Sequence, residues 1–528
     1  MIKKMLLYMR TIRNMKPVQV VSRIKKLIGI GNSLGVRPIP TFKEIRAFES
    51  VRELDYDAVF LSRFPIDEFV AGKITFLHES EQFDWEKEWN FPERSALWNF
   101  NLHYFEFIMP LVHAYEVTHS AEYLETIKKS INGWIENNPR GKGPGWAPYT
   151  IAMRLVYWFS CFFSLSEAMD AAFRERMIKS MYEQYVFLAG HLEKDLLANH
   201  YFEDLKALVL CAVAFRDEAM LNRALTELKK QCREQILPDG MHFELSPMYH
   251  KIILEAVLRV SVALRSVGMR DDEIEGYLPK MSDAAYTFEC GLERVPLFND
   301  GGSNVAKSLD ALMSAAKNHF DITPECKDCL TDSGYYFFRT GEWTLIIDAG
   351  EPGAKENPGH VHCDAMSLEL FRKGHPVLVN CGTYAYQSAE RTFFRSTEAH
   401  NTLSIADTEQ AECWSTFRMG RGSSVKVLNI EKNNIRMLLT DQHGNIAERS
   451  ICLTNRKIII TDTAREKEMC VWLHMNDFPA EKITASGEDI RCQEKRQWYS
   501  EEYGARKQID VLEWAGRNML TITIDLAG

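Results

Sequence analysis

The sequence predicts an α+β multidomain protein: an N-terminal helical bundle or α/α toroid (an incomplete helical barrel), followed by a C-terminal antiparallel β-sandwich. Three observations carry this. At 528 residues the chain exceeds what one hydrophobic core supports, so two or three domains are expected. Across residues 98–318 apolar side chains recur at spacings of three and four, the helical period. After about residue 323 they fall instead into short β-branched or aromatic runs bounded by turn residues.

Taken in order, residues 1–90 read as a basic arm and lead-in helices, 91–322 as the helical domain, and 323–528 as the sandwich. Ten Lys/Arg precede the first acid, Glu44. Arg10, Arg13 and Lys16 break up what would otherwise resemble a secretory leader, so the mature chain is expected to begin near Met1 and to stay cytoplasmic rather than periplasmic. A basic amphipathic arm can make peripheral contact with an anionic membrane surface or a partner; a solvated surface helix is the plainer reading. Helical runs follow at 100–118, 123–137, 151–169, 173–192, 200–215, 218–235, 249–267 and 272–292, with Pro/Gly joints such as Pro139 to Gly145 and Pro238-Asp239-Gly240. Strands are expected at 335–339, 344–348, 367–371, 377–380, 402–405, 425–430, 435–440, 449–454 and 457–461. Lys432-Asn433-Asn434 and His443-Gly444-Asn445 serve as hairpin turns.

The net charge of −10 argues against a general nucleic-acid binder, and it requires local basic groups for any acidic substrate. Twelve scattered cysteines, most inside apolar runs, fit a reducing compartment better than a disulfide framework. Cys326-x-x-Cys329 lacks the second pair of a zinc ribbon.

Chemistry concentrates in a few segments. Asn199 opens a helical run and is a candidate N-cap, while His200 and Glu203, three apart, share a face. Ser246-Pro247 looks like an N-cap with Pro at the first helical position, which puts Tyr249 in the first turn. In an extended His360-Val361-His362 both imidazoles would face one way, either as metal ligands or as a base beside a ligand, and His400 could complete the set. Such a kit of base, acid and charge-neutralising groups suits proton abstraction beside a carboxylate.

These segments form an ordered series. Asn199-His200, Asp239-Gly240 to Tyr249-His250, Gly359 to Asp364, Val379-Asn380-Cys381-Gly382-Thr383-Tyr384 and Phe394-Arg395 to Thr402 resemble the heparinase II/III family of polysaccharide lyases. Trp98 to Phe105 and Trp134 to Pro139 are similar to that family's helical domain. The resemblance implies a toroid and sandwich with a cleft between them, and β-elimination at C4 of a uronic acid in an acidic polysaccharide or oligosaccharide. By that analogy Asn199 and His200 hold the substrate carboxylate, Tyr249 and His360 are the acid/base groups, and Glu203, Tyr384 and Arg395 contact substrate. It also implies a structural divalent metal, zinc or similar, at His362, position 380 and His400. Here Asn380 stands in place of the usual Asp, and an amide is a weaker ligand. A link to surface-polysaccharide metabolism is a further expectation. A uronate C5-epimerase on the same fold is the alternative; a non-catalytic polysaccharide-binding or assembly protein is the other. A toroid glycosidase would need a carboxylate pair, with Glu203, Glu244 and Asp300 as candidates.

Overall fold

The structure is a computed structural model that describes residues 2–28 and 38–527. Arg37, one of the ten early basic residues, and Met1 lie outside the described residues. No helix among the described residues is long and apolar enough to cross a membrane.

The first half is helical. The helices Ala121–Asn137, Pro148–Leu165, Ala171–Gly190, Ala198–Ala214, Glu218–Gln235 and Pro247–Ser266 pack around one core that runs from Phe48 to Ala316. Their starts are chemically marked. Asp170, Asp217 and Ser246 accept hydrogen bonds from the backbone N–H of Phe173, Met220 and Tyr249. Pro148 and Pro247 occupy first-turn positions where the missing N–H does no harm. The helix Ala198–Ala214 touches neighbours on several sides, and every residue in it except His200 is buried. That exception faces the cleft.

Two expected runs break. The run 100–118 is two helices, Ala96–Tyr104 and Ile108–Thr118, separated where Phe105 adopts φ 64°. The run 272–292 divides at Gly276 into Asp272–Glu275 and Leu278–Glu289.

The second half is antiparallel, and its two layers belong to one curled sheet of twelve strands among the described residues. The strand Lys457–Met475 explains the curl. It is bulged between Ala464 and Glu468. Before the bulge it pairs with Ile446–Leu453, and after it with Leu403–Ile405 and, at Met475, with His375–Leu378. A second core, from Tyr336 to Leu526, fills the curl. Met241, Leu245 and Phe288 from the helical half meet Tyr335, Phe337 and Phe371 from the sheet in a junction core.

Candidate active site

A cavity of about 630 Å³ opens where the two halves meet. Tyr104, Tyr149, Asn199, His200, Glu203 and Tyr249 line it from the helices, and Gly359, His360, Tyr386 and Tyr503 from the other half.

Asn199 and His200 begin one wall. The N-cap position belongs to Leu197 (φ 63°, ψ −151°), so Asn199 lies inside the helix and caps nothing. Leu197 and Ala198 both have positive φ, and such strain in non-glycine residues persists where surrounding structure enforces it. Asn199 is buried, and its Oδ1 has no partner, which leaves an acceptor free at the cavity wall. The His200 side chain is 33% exposed, and Glu193 Oε2 lies 2.9 Å from its Nδ1. Burial opposes charge on His200, but Glu193 outweighs it and holds the pKa above the usual value. Glu203 pairs with Lys206, and its own pKa is raised by burial.

The same cavity holds an aromatic pair. Ser246 Oγ accepts the Tyr249 N–H at 3.2 Å, so the expected cap is present and Tyr249 sits in the first turn of Pro247–Ser266. The Tyr249 ring stacks on His360 with centroids 3.9 Å apart and planes 11° apart. Its hydroxyl is 2.7 Å from Tyr386 Oη, which is 2.9 Å from Tyr503 Oη. Burial, with Tyr503 and Asp300 nearby, raises the Tyr249 pKa well above 10, so the phenol is protonated at rest. Behind His360, Glu244 Oε2 lies 3.4 Å from Nδ1 and 3.7 Å from His242 Nδ1. Burial disfavours a charge on Glu244, but His360 and His242 more than compensate, and its pKa is lowered.

His360 is held by its loop. Arg395 donates to Val361 O at 2.9 Å and Pro358 O at 3.2 Å, and Arg391 donates to Gly359 O at 3.2 Å. Arg391 also grips Asp300 through both terminal nitrogens, and Asp300 Oδ1 lies 2.8 Å from His362 Nε2.

Several expectations therefore change. His360 and His362 do not face one way, because Pro358–His360 is a 3₁₀ turn rather than a strand; His360 faces the cavity and His362 faces the interior. Arg395 does not reach substrate space: its guanidinium is engaged by the carbonyls of Val361, Pro358, Ser415 and Thr416. Tyr384 lies off the cavity wall beneath Arg506, at 4.5 Å, and Tyr386, two residues on, takes the cavity position. Sequence reasoning also missed Arg63, Glu106, Tyr149, Glu193 and Tyr503. Arg63, Glu106, Tyr149 and Tyr503 come from distant parts of the chain, and Glu193, seven residues before His200, stood outside the motif.

His362 and His400 lie together in the interior, and Asn380 accepts the backbone N–H of Asn401, the residue after His400. The imidazole centroids of His362 and His400 are 5.2 Å apart. His362 Nδ1 and both His400 ring nitrogens are buried without partners. Burial pushes the His362 pKa down to about 4 and lowers that of His400, so both are in the neutral, ligating form. That donor chemistry fits a divalent ion. Asn380 Oδ1 is a weaker third donor, and it already accepts the Asn401 N–H at 3.2 Å. Among the described residues no three His, Cys, Asp or Glu side chains converge as a metal site.

Comparison with known proteins gives a consistent picture. Residues 3–328 match the description "Heparinase II/III N-terminus", and residues 323–472 match "Heparinase II/III-like, C-terminal". A heparin-sulfate lyase of Pedobacter heparinus is 23% identical over 369 residues, 61% of this chain and 54% of that protein. One from Bacteroides thetaiotaomicron is 23% identical over 406 residues, 65% of this chain and 57% of that one. The matches thus span little more than half the length of these relatives. A crystal structure of heparinase III superposes with TM-score 0.66 at 17% identity, over 97% of this chain and 92% of the other. A mutant heparan sulfate lyase from Pedobacter heparinus gives 0.58 at 16% identity, over 97% and 88%. At such identities the structural likeness is one of fold.

Proposed function

We propose that this chain, which belongs to the heparinase II/III family, is a polysaccharide lyase that cleaves uronic-acid-containing glycans by β-elimination. The observation that carries the reading is the Tyr249–His360 stack sharing one cavity with Asn199 and His200. The Asn199 amide and the His200 imidazolium neutralise the uronate carboxylate, which makes the C5 proton removable. His360 takes that proton, and Glu244 behind it steadies the resulting imidazolium. The C4–O4 bond breaks as the C4=C5 double bond forms, and the protonated Tyr249 phenol gives its proton to O4. Tyr386 and Tyr503, hydrogen-bonded in line, stabilise the phenolate left behind. Stacked rings bring acid and base to the substrate from one side. That favours elimination over epimerisation, which must return a proton to the opposite face.

The metal belongs to the same proposal. An ion held by His362 and His400, with Asn380 beside them, would brace the sheet half under the cleft and take no part in the proton transfers. Elemental analysis of protein purified without chelator reads its presence. The cytoplasmic assignment rests on the scattered thiols, and cell fractionation tests it.

The decisive experiment is mass spectrometry of products from a panel of uronic-acid polymers. A lyase leaves a new non-reducing end lighter by one water, with ultraviolet absorbance from the double bond. Tyr249→Phe keeps the ring and its stacking but removes the transferable proton. Turnover should fall by about two or more orders of magnitude with the melting curve nearly unchanged. Wild-type turnover in that variant would remove Tyr249 from the mechanism. C5 deuterium exchange without double-bond formation would indicate an epimerase.

A further inference from the structure

The two helices at the start of the chain turn their polar side inward. Ile2–Asn14 and Pro17–Leu27 rest on the body through hydrogen bonds and ion pairs. Arg10 pairs with Glu412, Asn14 Nδ2 donates to Gly420 O at 3.0 Å, and Gln19 Nε2 donates to Glu356 O at 3.1 Å. Arg23 reaches Asp195 O at 3.4 Å. The apolar side faces solvent. Met5, Met9 and Ile12, one stripe of the first helix, are 61%, 57% and 54% exposed. On the second helix Val21, Ile24 and Leu27 are 50%, 53% and 85% exposed. A helix on a globular body ordinarily buries that stripe. Ten of the nineteen large hydrophobic residues exposed among the described residues fall between Met5 and Ile28, so the feature is local rather than general.

The same surface is basic. Lys4, Arg13 and Lys25 are exposed beside the apolar stripes, and no carboxylate precedes Glu44, although the whole chain carries −10. We infer that this face docks on an anionic lipid bilayer. Aliphatic side chains enter the acyl boundary while the cations meet lipid phosphates and carboxylates. Charge complementarity selects this occupant. A second copy would bring two cationic faces together, and a soluble acidic glycan gives Ile24 and Leu27 nothing to bury against. The position has a consequence for the cavity. Gln19 also contacts Leu196 O at 3.4 Å, and Leu196 and Asn357, next to Glu356, line the cavity. Docking therefore places the cavity's rim one helix back from the membrane surface.

Co-sedimentation of the full chain with phosphatidylcholine vesicles, with and without phosphatidylglycerol, tests this. The protein should pellet with the anionic vesicles only, and less so as salt rises. Ile24→Glu, at an exposed position, should weaken binding at least about tenfold with melting curve and turnover of soluble glycan unchanged. Arg13→Glu combined with Lys25→Glu should do the same. Wild-type protein that stays in the supernatant, or Ile24→Glu that binds like wild type, would overturn the assignment. So would a vesicle-free dimer that Ile24→Glu dissociates, since the face would then belong to a second copy.

Discussion

Glu193 Oε2 sits 2.9 Å from His200 Nδ1 and gives the cleft an adjustable charge. The imidazolium is the form that neutralises a uronate. Because its folded-state pKa is raised, its contribution to stability is complete below the unfolded value of about 6.5 and is lost as pH rises through the folded value. The carboxylate clamp is lost over the same window. So kcat/KM should fall on the alkaline side, and Glu193→Gln should move that limb to lower pH. An unmoved limb would show that another group titrates. At this scale the sequence was half legible. Types and spacing singled out Asn199, His200, Tyr249 and His360, and all four line one cavity. It misled at Asn199, because the strained Leu197 and Ala198 that set the helix start carry no glycine to announce positive φ. Tyr384 displaced Tyr386 in the reading because both lie in one loop, and only the fold decides which ring meets the cavity.

The segment Pro358–His360 shows how a single 3₁₀ turn is held in place. Its carbonyls are tied by two buried arginines, Arg391 and Arg395, where the sequence suggested that Arg395 would touch substrate. Arg395→Met keeps the aliphatic stem but leaves the carbonyls of Val361 and Ser415 without a nitrogen donor, at about 1–3 kcal/mol for each group left unsatisfied, while Pro358 O keeps the Val361 N–H and Thr416 O keeps Arg391 Nε. His360 then loses its fixed approach. A displacement of about 1 Å can lower a rate by about 10²-fold. The expected signature is a drop in kcat larger than the change in KM, together with a lower melting temperature. A variant that raised KM alone would return Arg395 to substrate binding. Helices were the most legible elements, since burial against a common core imposes the 3.6 period. The break at Phe105 was not, because an aromatic in the left-handed region looks like one more apolar position of the run. In the sheet half, the strand read as ending at residue 461 continues to Met475, because its bulge looks like a turn in sequence.

On the scale of the whole molecule, Asp300 joins what the mechanism needs from both halves. Its carbonyl accepts from Ser246 Oγ at 2.6 Å, which caps the Tyr249 helix, and its N–H donates to His360 O at 3.0 Å. Its carboxylate takes Arg391, His362 and, at 3.0 Å, the Thr383 hydroxyl. Asp300→Asn keeps the backbone bonds and the shape but removes the charge. Arg391, only 3% exposed, is then a buried cation without its counterion, a loss of about 3–5 kcal/mol. Burial works against the Asp300 charge, but Arg391 and His362 overcome it and drive the pKa far below the usual carboxylate range. A depressed carboxylate contributes stability above its unfolded pKa of about 4, and loses it only as pH falls through the lower folded value. The clamp thus persists in mild acid. The melting gap between wild type and Asp300→Asn should be the same at about pH 7 and about pH 5. Turnover should fall with it, because Arg391 also holds Gly359 beside His360. Asp300→Asn that melts like wild type at both pH values would mean that the Asp300 charge contributes nothing, and the two halves would then be joined by their apolar junction rather than by this charge.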